Sequence, residues 1–113
     1  MIFVIIGVIG VLNGMNSLAT NQVEIRATSV RVSDDALIVD LSDGRTVLAP
    51  LAWYPRLLRA TTAERNNHQL MGGRMGIHWP QLDEDISVEG ILAGRRSFES
   101  KESFDQWLAS RAS

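Results

Sequence analysis

Asp43-Gly44 constrains the fold of this chain more than any other dipeptide in it. Leu37, Val39 and Leu41 alternate with Ile38, Asp40 and Ser42 before the pair, and Thr46-Val47-Leu48 follows it. Glycine adopts positive φ without steric cost, and aspartate bonds its own backbone, so the pair closes a tight turn between antiparallel strands. Upstream, Val30 and Val32 alternate with Ser29, Arg31 and Ser33, and Asp34-Asp35 breaks that run as a turn. The pattern predicts a three-stranded antiparallel meander over residues 23–50.

Helical signals come next. In LAWYPRLLRAT, Leu51, Tyr54, Leu57 and Leu58 share one helical face. Pro55 is tolerable there only if the helix proper starts near Trp53 or Tyr54. Thr61 and Glu64 match the capping-box spacing and predict a short second helix. HQLMGGRMGIHWP predicts a second hairpin around Gly72-Gly73, ended by Pro80. Asp85 or Ser87 is expected to cap a short helix through Leu92 that Gly94 terminates. SKESFDQWLASRAS reads as an amphipathic C-terminal helix capped by Ser100, with Phe104, Trp107 and Leu108 as its apolar stripe. The fold class is therefore α+β: a small antiparallel sheet, a meander plus a second hairpin, packed with two to three short helices and the C-terminal helix. The expected organisation is an apolar extension over residues 1–20, the α+β domain over 23–96, and the helix over 97–113.

A chain of 113 residues is one domain with a small core. Its formal net charge of −2 argues against a dedicated nucleic-acid binder, which shows a basic face. The absence of cysteine excludes disulfides, thiolate metal sites and cysteine nucleophiles. Ten of the eleven basic residues are arginine. Genomic base composition is the favoured cause of that bias, ahead of a need for bidentate carboxylate pairs.

MIFVIIGVIGVL is an uncharged apolar run of twelve residues. A membrane-spanning helix needs about twenty. Three readings stay open for it. It is an upstream extension with Met15 as the natural start, or an export signal with Ser17-Leu18-Ala19 as its cleavage site, or a packed N-terminal element. The export reading lacks the positive charges that should precede the run.

The densest group of reactive side chains is GIHWPQLDEDIS, residues 76–87. His78 with Asp83, Glu84 and Asp85 offers ligand types that suit a divalent transition metal. Consecutive acids at a helix start cannot all aim at one point, however. The favoured reading sets His78 and Trp79 on opposite faces of a strand, with the acids stabilising the positive N-terminus of the next helix. No catalytic residue, metal or cofactor is called for. Asp40 is the carboxylate best placed for a raised pKa, but pairing with an arginine is the commoner fate. Trp53, Tyr54 and Trp79 are expected in the core, while Phe104, Trp107 and Leu108 must cover either the chain's own body or a partner. Arg56, Arg59, Arg65 and Arg95-Arg96 are diluted as a phosphate-binding patch by Glu64 and Glu89.

LIVDLSDGR (37–45), LAWYPRL (51–57), GIHWPQLDEDISVEGIL (76–92) and the trailing AGR resemble domain-of-unknown-function family 2442, over roughly residues 23–96. The motif residues are Asp43, Gly44, Trp53, Ile77, Trp79, Pro80, Asp83, Asp85 and Ile86. The resemblance implies a compact α+β domain and supplies no catalytic residue to carry over. Members of that family stand alone or join a helix-turn-helix domain, and some lie beside another small gene in a toxin–antitoxin-like arrangement. No convincing helix-turn-helix follows residue 96. The expectation is a cytoplasmic, non-enzymatic domain acting by protein–protein contact in an antitoxin-like or regulatory accessory role. Its partner is a protein encoded by a neighbouring gene, or a second copy. Nucleic acid is not expected, nor is a membrane unless residues 1–20 are retained as an anchor. The alternatives are a nucleic-acid-associated transcriptional regulator and a small enzyme using His78 and the carboxylates at 83–85.

Overall fold

A computed structural model of the chain describes residues 3–5 and 24–112. Strands β1 (Phe3–Ile5), β2 (Ala27–Val32), β3 (Ala36–Leu41) and β4 (Thr46–Pro50) form an antiparallel sheet in the order β1-β4-β3-β2. The predicted meander is its β2–β3–β4 portion. Gly44 turns the β3–β4 hairpin at a φ of 94°, and the Arg45 N–H donates to Asp43 Oδ1. Leu37, Val39, Leu41, Val47 and Ala49 all face the core, as alternation requires.

The helix predicted from Leu51 onward is divided. A 3-10 turn spans Leu51–Trp53, and α1 spans Pro55–Leu58. Proline forces its predecessor out of the helical region, and Tyr54 accordingly sits at φ −128°, ψ 84°. Pro55 then opens α1 at the first helical position, where no N–H is needed. Leu51, Tyr54 and Leu57 are buried, but the break rotates Leu58 off their face and leaves it 41% exposed. Helix α2 (Thr62–Asn66) carries the predicted capping box, with the Glu64 N–H donating to Thr61 Oγ1 and the Thr61 N–H to Glu64 Oε1.

A second antiparallel sheet contains β5 (Gln69–Met71), β6 (Gly76–Trp79) and β7 (Glu84–Ser87), in that order. Gly72, Gly73 and Arg74, all at positive φ, turn the β5–β6 hairpin. Strand β7 corrects the expectation for Asp83, Glu84 and Asp85, which do not begin a helix. Asp83 occupies the left-handed region at φ 52°, which aspartate tolerates, and folds the chain back along β6. Ile86 then lies opposite Ile77 and is buried. That burial and the ladder of backbone bonds override the poor strand preference of two acids. The cap of α3 (Val88–Leu92) is Ser87, whose Oγ accepts the Gly90 N–H, and Asp85 plays no part in it. Gly94 ends the helix at φ 76°.

Helix α4 (Lys101–Ala112) closes the chain. The Ser103 N–H donates to Ser100 Oγ at its start, as expected. Both sheets and α1 and α3 contribute to one buried cluster, with Trp79 fully enclosed. Among the described residues no helix is long and apolar enough to cross a membrane. The three readings of the N-terminal run fall mostly on residues 6–23, outside the described residues.

Candidate interaction site

Most polar side chains that looked reactive in the sequence are engaged with neighbours. Asp40 accepts hydrogen bonds from Ser29 Oγ and Thr46 Oγ1 and pairs with Arg31 at 3.0 Å. These bonds hold its carboxyl below the usual range, the Ser29 hydroxyl contributing most. His78 and Asp85 are cross-strand neighbours, with Nδ1 2.6 Å from Oδ1 on the exposed side of the sheet. Trp79 faces the other side, as the alternation predicted, and its Nε1 donates to the Arg65 carbonyl. Asp83 sits in the turn, so His78 and the three acids do not converge. Among the described residues no group of three or more His, Asp or Glu could hold a metal ion.

The arginines act as clasps. Arg65 is buried and donates to the Leu57 and Leu58 carbonyls, satisfying the end of α1. Arg56 donates from Nε and Nη2 to the Glu99 carboxylate, and from Nη1 to the Leu82 carbonyl. Arg111 grips Glu64 with two nitrogens, at 2.8 and 2.9 Å. That pairing, with the backbone N–H of Thr61, pulls the Glu64 carboxyl down to about 2. The Trp107 ring has both guanidinium groups over it, Arg56 at 5.2 Å and Arg111 at 4.5 Å, and packs on the core. Phe104 stacks on Trp107, and Leu108 is half-buried. Of the α4 stripe, Trp107 therefore covers the chain's own body, while Phe104 and Leu108 stay half-buried.

Among several open hollows, one follows the edge of the second sheet. Strand β7 ends the order of its sheet, and along it runs a shallow hollow of about 240 Å³. Glu84, Asp85, Ile86 and Ser87 form one wall, Tyr54 the floor, and the segment from Arg95 to Phe98 the other wall. That segment is tied down by its backbone. The Arg95 N–H donates to the Gly90 carbonyl, the Ser97 N–H to the Trp53 carbonyl, and Tyr54 Oη to the Arg95 carbonyl. Arg96 lies 4.7 Å over the Trp53 ring. Phe98 projects into solvent, 87% exposed.

Glu84 makes no side-chain hydrogen bond or salt bridge among the described residues. Burial raises its pKa to about 7, and Glu99, Asp85 and Asp83 add to the rise against the pull of Arg56. Burial, with the Glu84 charge, also raises Tyr54 to about 12, so its hydroxyl stays protonated. Of these lining residues, Phe98 carries no periodic signal in the sequence. Its only mark is an apolar side chain within the polar run GRRSFES. Asp43, Gly44, Trp53, Ile77, Pro80 and Ile86 serve turns, strands and core rather than the hollow, except that Ile86 lines it.

A family model described as "Protein of unknown function (DUF2442)" matches residues 27–97, from the start of β2 to the residue before Phe98. A crystal structure of a protein of unknown function from Rhodospirillum rubrum is similar, with 31% identity and a TM-score of 0.58. The similarity covers 72% of this chain and 98% of that one. No curated protein matches the chain.

Proposed function

This chain belongs to the DUF2442 family, and on that premise we propose a non-enzymatic domain that works by protein–protein contact, in a regulatory accessory role of the antitoxin kind. The observation that carries the reading is Phe98. A phenylalanine 87% exposed beside an open strand edge is a large apolar surface with nothing over it among the described residues. Buried aromatic and arginine anchors dominate protein interfaces, and Phe98 has Arg95 and Arg96 as neighbours in sequence. The stripe of Phe104, Trp107 and Leu108 is the weaker candidate, because its central ring, Trp107, is already spent on the core and on the two arginine clasps.

Affinity capture from the native host, with the full chain as bait, tests the reading. The expected result is one stoichiometric partner, retained by the wild-type chain and lost by Phe98→Ser. Retention of nothing contradicts it.

One observation favours a small enzyme instead. Glu84 has a near-neutral pKa in a concave site beside the Tyr54 hydroxyl, a pattern seen at acid–base centres as well as in structural networks. Its reach is limited, since His78 faces the opposite side of the sheet and takes no part. Under that reading Glu84→Gln abolishes an activity. Under ours there is no activity to lose, and the variant alters stability and the contact at the β7 edge.

A further inference from the structure

Resting on the contact reading above, we propose that the occupant of the β7 edge is a second copy of this chain, the two β7 strands pairing antiparallel about a two-fold axis. Three features support a copy rather than an unrelated partner. The first is the mixed charge of the hollow. Glu84 and Asp85 line one wall, and Arg95 and Arg96 the other. A patch of one sign repels its own copy. A patch with both signs on opposite walls is self-complementary, because a two-fold interface sets the same patch against itself reversed.

The second feature is what these charges leave undone. Glu84 and Arg95 both line this hollow, yet neither side chain makes a hydrogen bond or salt bridge among the described residues. Reversal by the two-fold brings the acid of one copy toward the arginine of the other, so each gains the partner it lacks.

The third is register. β7 reads Glu84-Asp85-Ile86-Ser87. Antiparallel pairing about a two-fold that passes through Ile86 sets Ile86 opposite the other copy's Ile86, and Asp85 opposite its Ser87. No carboxylate then lies directly opposite another, the arrangement that destabilises strand pairs. The two three-stranded sheets become one continuous sheet of six, which removes an open edge from each copy. Phe98 lies at the rim of that junction and is withdrawn from water.

Sedimentation equilibrium of the full chain over a range of concentrations tests this. The expected result is a reversible monomer–dimer equilibrium whose dissociation constant rises at least about tenfold in Phe98→Glu and in Arg95→Glu. Both side chains lie outside the core, and an unchanged circular dichroism spectrum of each variant confirms the fold. Amide hydrogen exchange of residues 84–87 should slow as the wild-type chain is concentrated. A monomer at every concentration overturns the proposal. A dimer that Phe98→Glu leaves intact overturns it equally, since the contact then lies elsewhere. A monomer that still captures another protein through Phe98 overturns the self-pairing and leaves the contact reading standing. A monomer that captures nothing sinks both.

Discussion

Asp40 in the first sheet and Glu84 in the second are both strand carboxylates, and their surroundings drive them in opposite directions. Asp40 is fed by two hydroxyls and an arginine from adjacent strands, and its pKa falls. Glu84 is desolvated without a bonded partner, and its pKa rises to about 7. The same contrast holds between the sheets. In the first, the Asp40 carboxylate is met by side chains of the two neighbouring strands. The second leans on distant segments, through the Trp79 indole on the Arg65 carbonyl and the Arg56 guanidinium on the Leu82 carbonyl. It also leaves β7 open. A sheet whose charged side chain is paired across its own strands is scaffold. A sheet with an uncovered edge and an uncompensated charge is where contact with another molecule has something to gain.

The largest expected effect tests the dependence of the second sheet on its distant ties. Trp79→Ala removes a fully buried ring and the donor to Arg65, and should cost about 3–5 kcal/mol in chemical denaturation. A loss under about 1 kcal/mol, as at an exposed site, would break the contrast.

Glu84→Gln comes next. The folded pKa of Glu84 lies above the ordinary 4.5, so the folded chain holds this proton more tightly than the unfolded one. That stability is present at low pH and is lost as pH rises from about 4.5 through about 7. The variant, neutral throughout, should exceed the wild type by about 1–2 kcal/mol at mildly alkaline pH, less than the whole shift because water still reaches the carboxyl. Melting curves across pH check this, and a wild-type curve that rises through that window contradicts it.

Asp40→Asn should behave with the opposite sign. Its folded pKa lies below 3.8, so its contribution is present above that value and disappears as pH falls through the folded one. The expected loss at neutral pH is at most about 1 kcal/mol, because the site is near the surface. Wild type and variant should converge in acid. The smallest effect belongs to Phe98→Ser, which should leave stability within about 0.5 kcal/mol while weakening capture of a partner. A large destabilisation would make Phe98 part of the core and remove the contact face.

The local parts of this fold are legible in the sequence because short-range chemistry dictates them. Asp43-Gly44, Thr61 with Glu64, and Gly72-Gly73 each act within four residues, and each forms the turn or cap its spacing predicts. The DUF2442 membership was legible in the motifs around residues 37–45 and 76–92. What the sequence hides is set at long range. Glu84 and Asp85 look like the start of a helix, since acids favour that position. Only the pairing of Ile86 with Ile77 across the turn at Asp83 reveals a strand. Arg65 shows no pattern that foretells burial, because the carbonyls it satisfies arise where α1 happens to end. The exposure of Phe98 follows from the path of the chain after Gly94.

The most direct test of the contact reading is a photo-crosslinking amino acid placed at position 98 of the full chain in its native host. The account predicts a discrete covalent adduct on illumination, to a second copy or to one other protein. Illumination that yields no adduct at position 98, while the same probe in place of Phe104 does yield one, would contradict it.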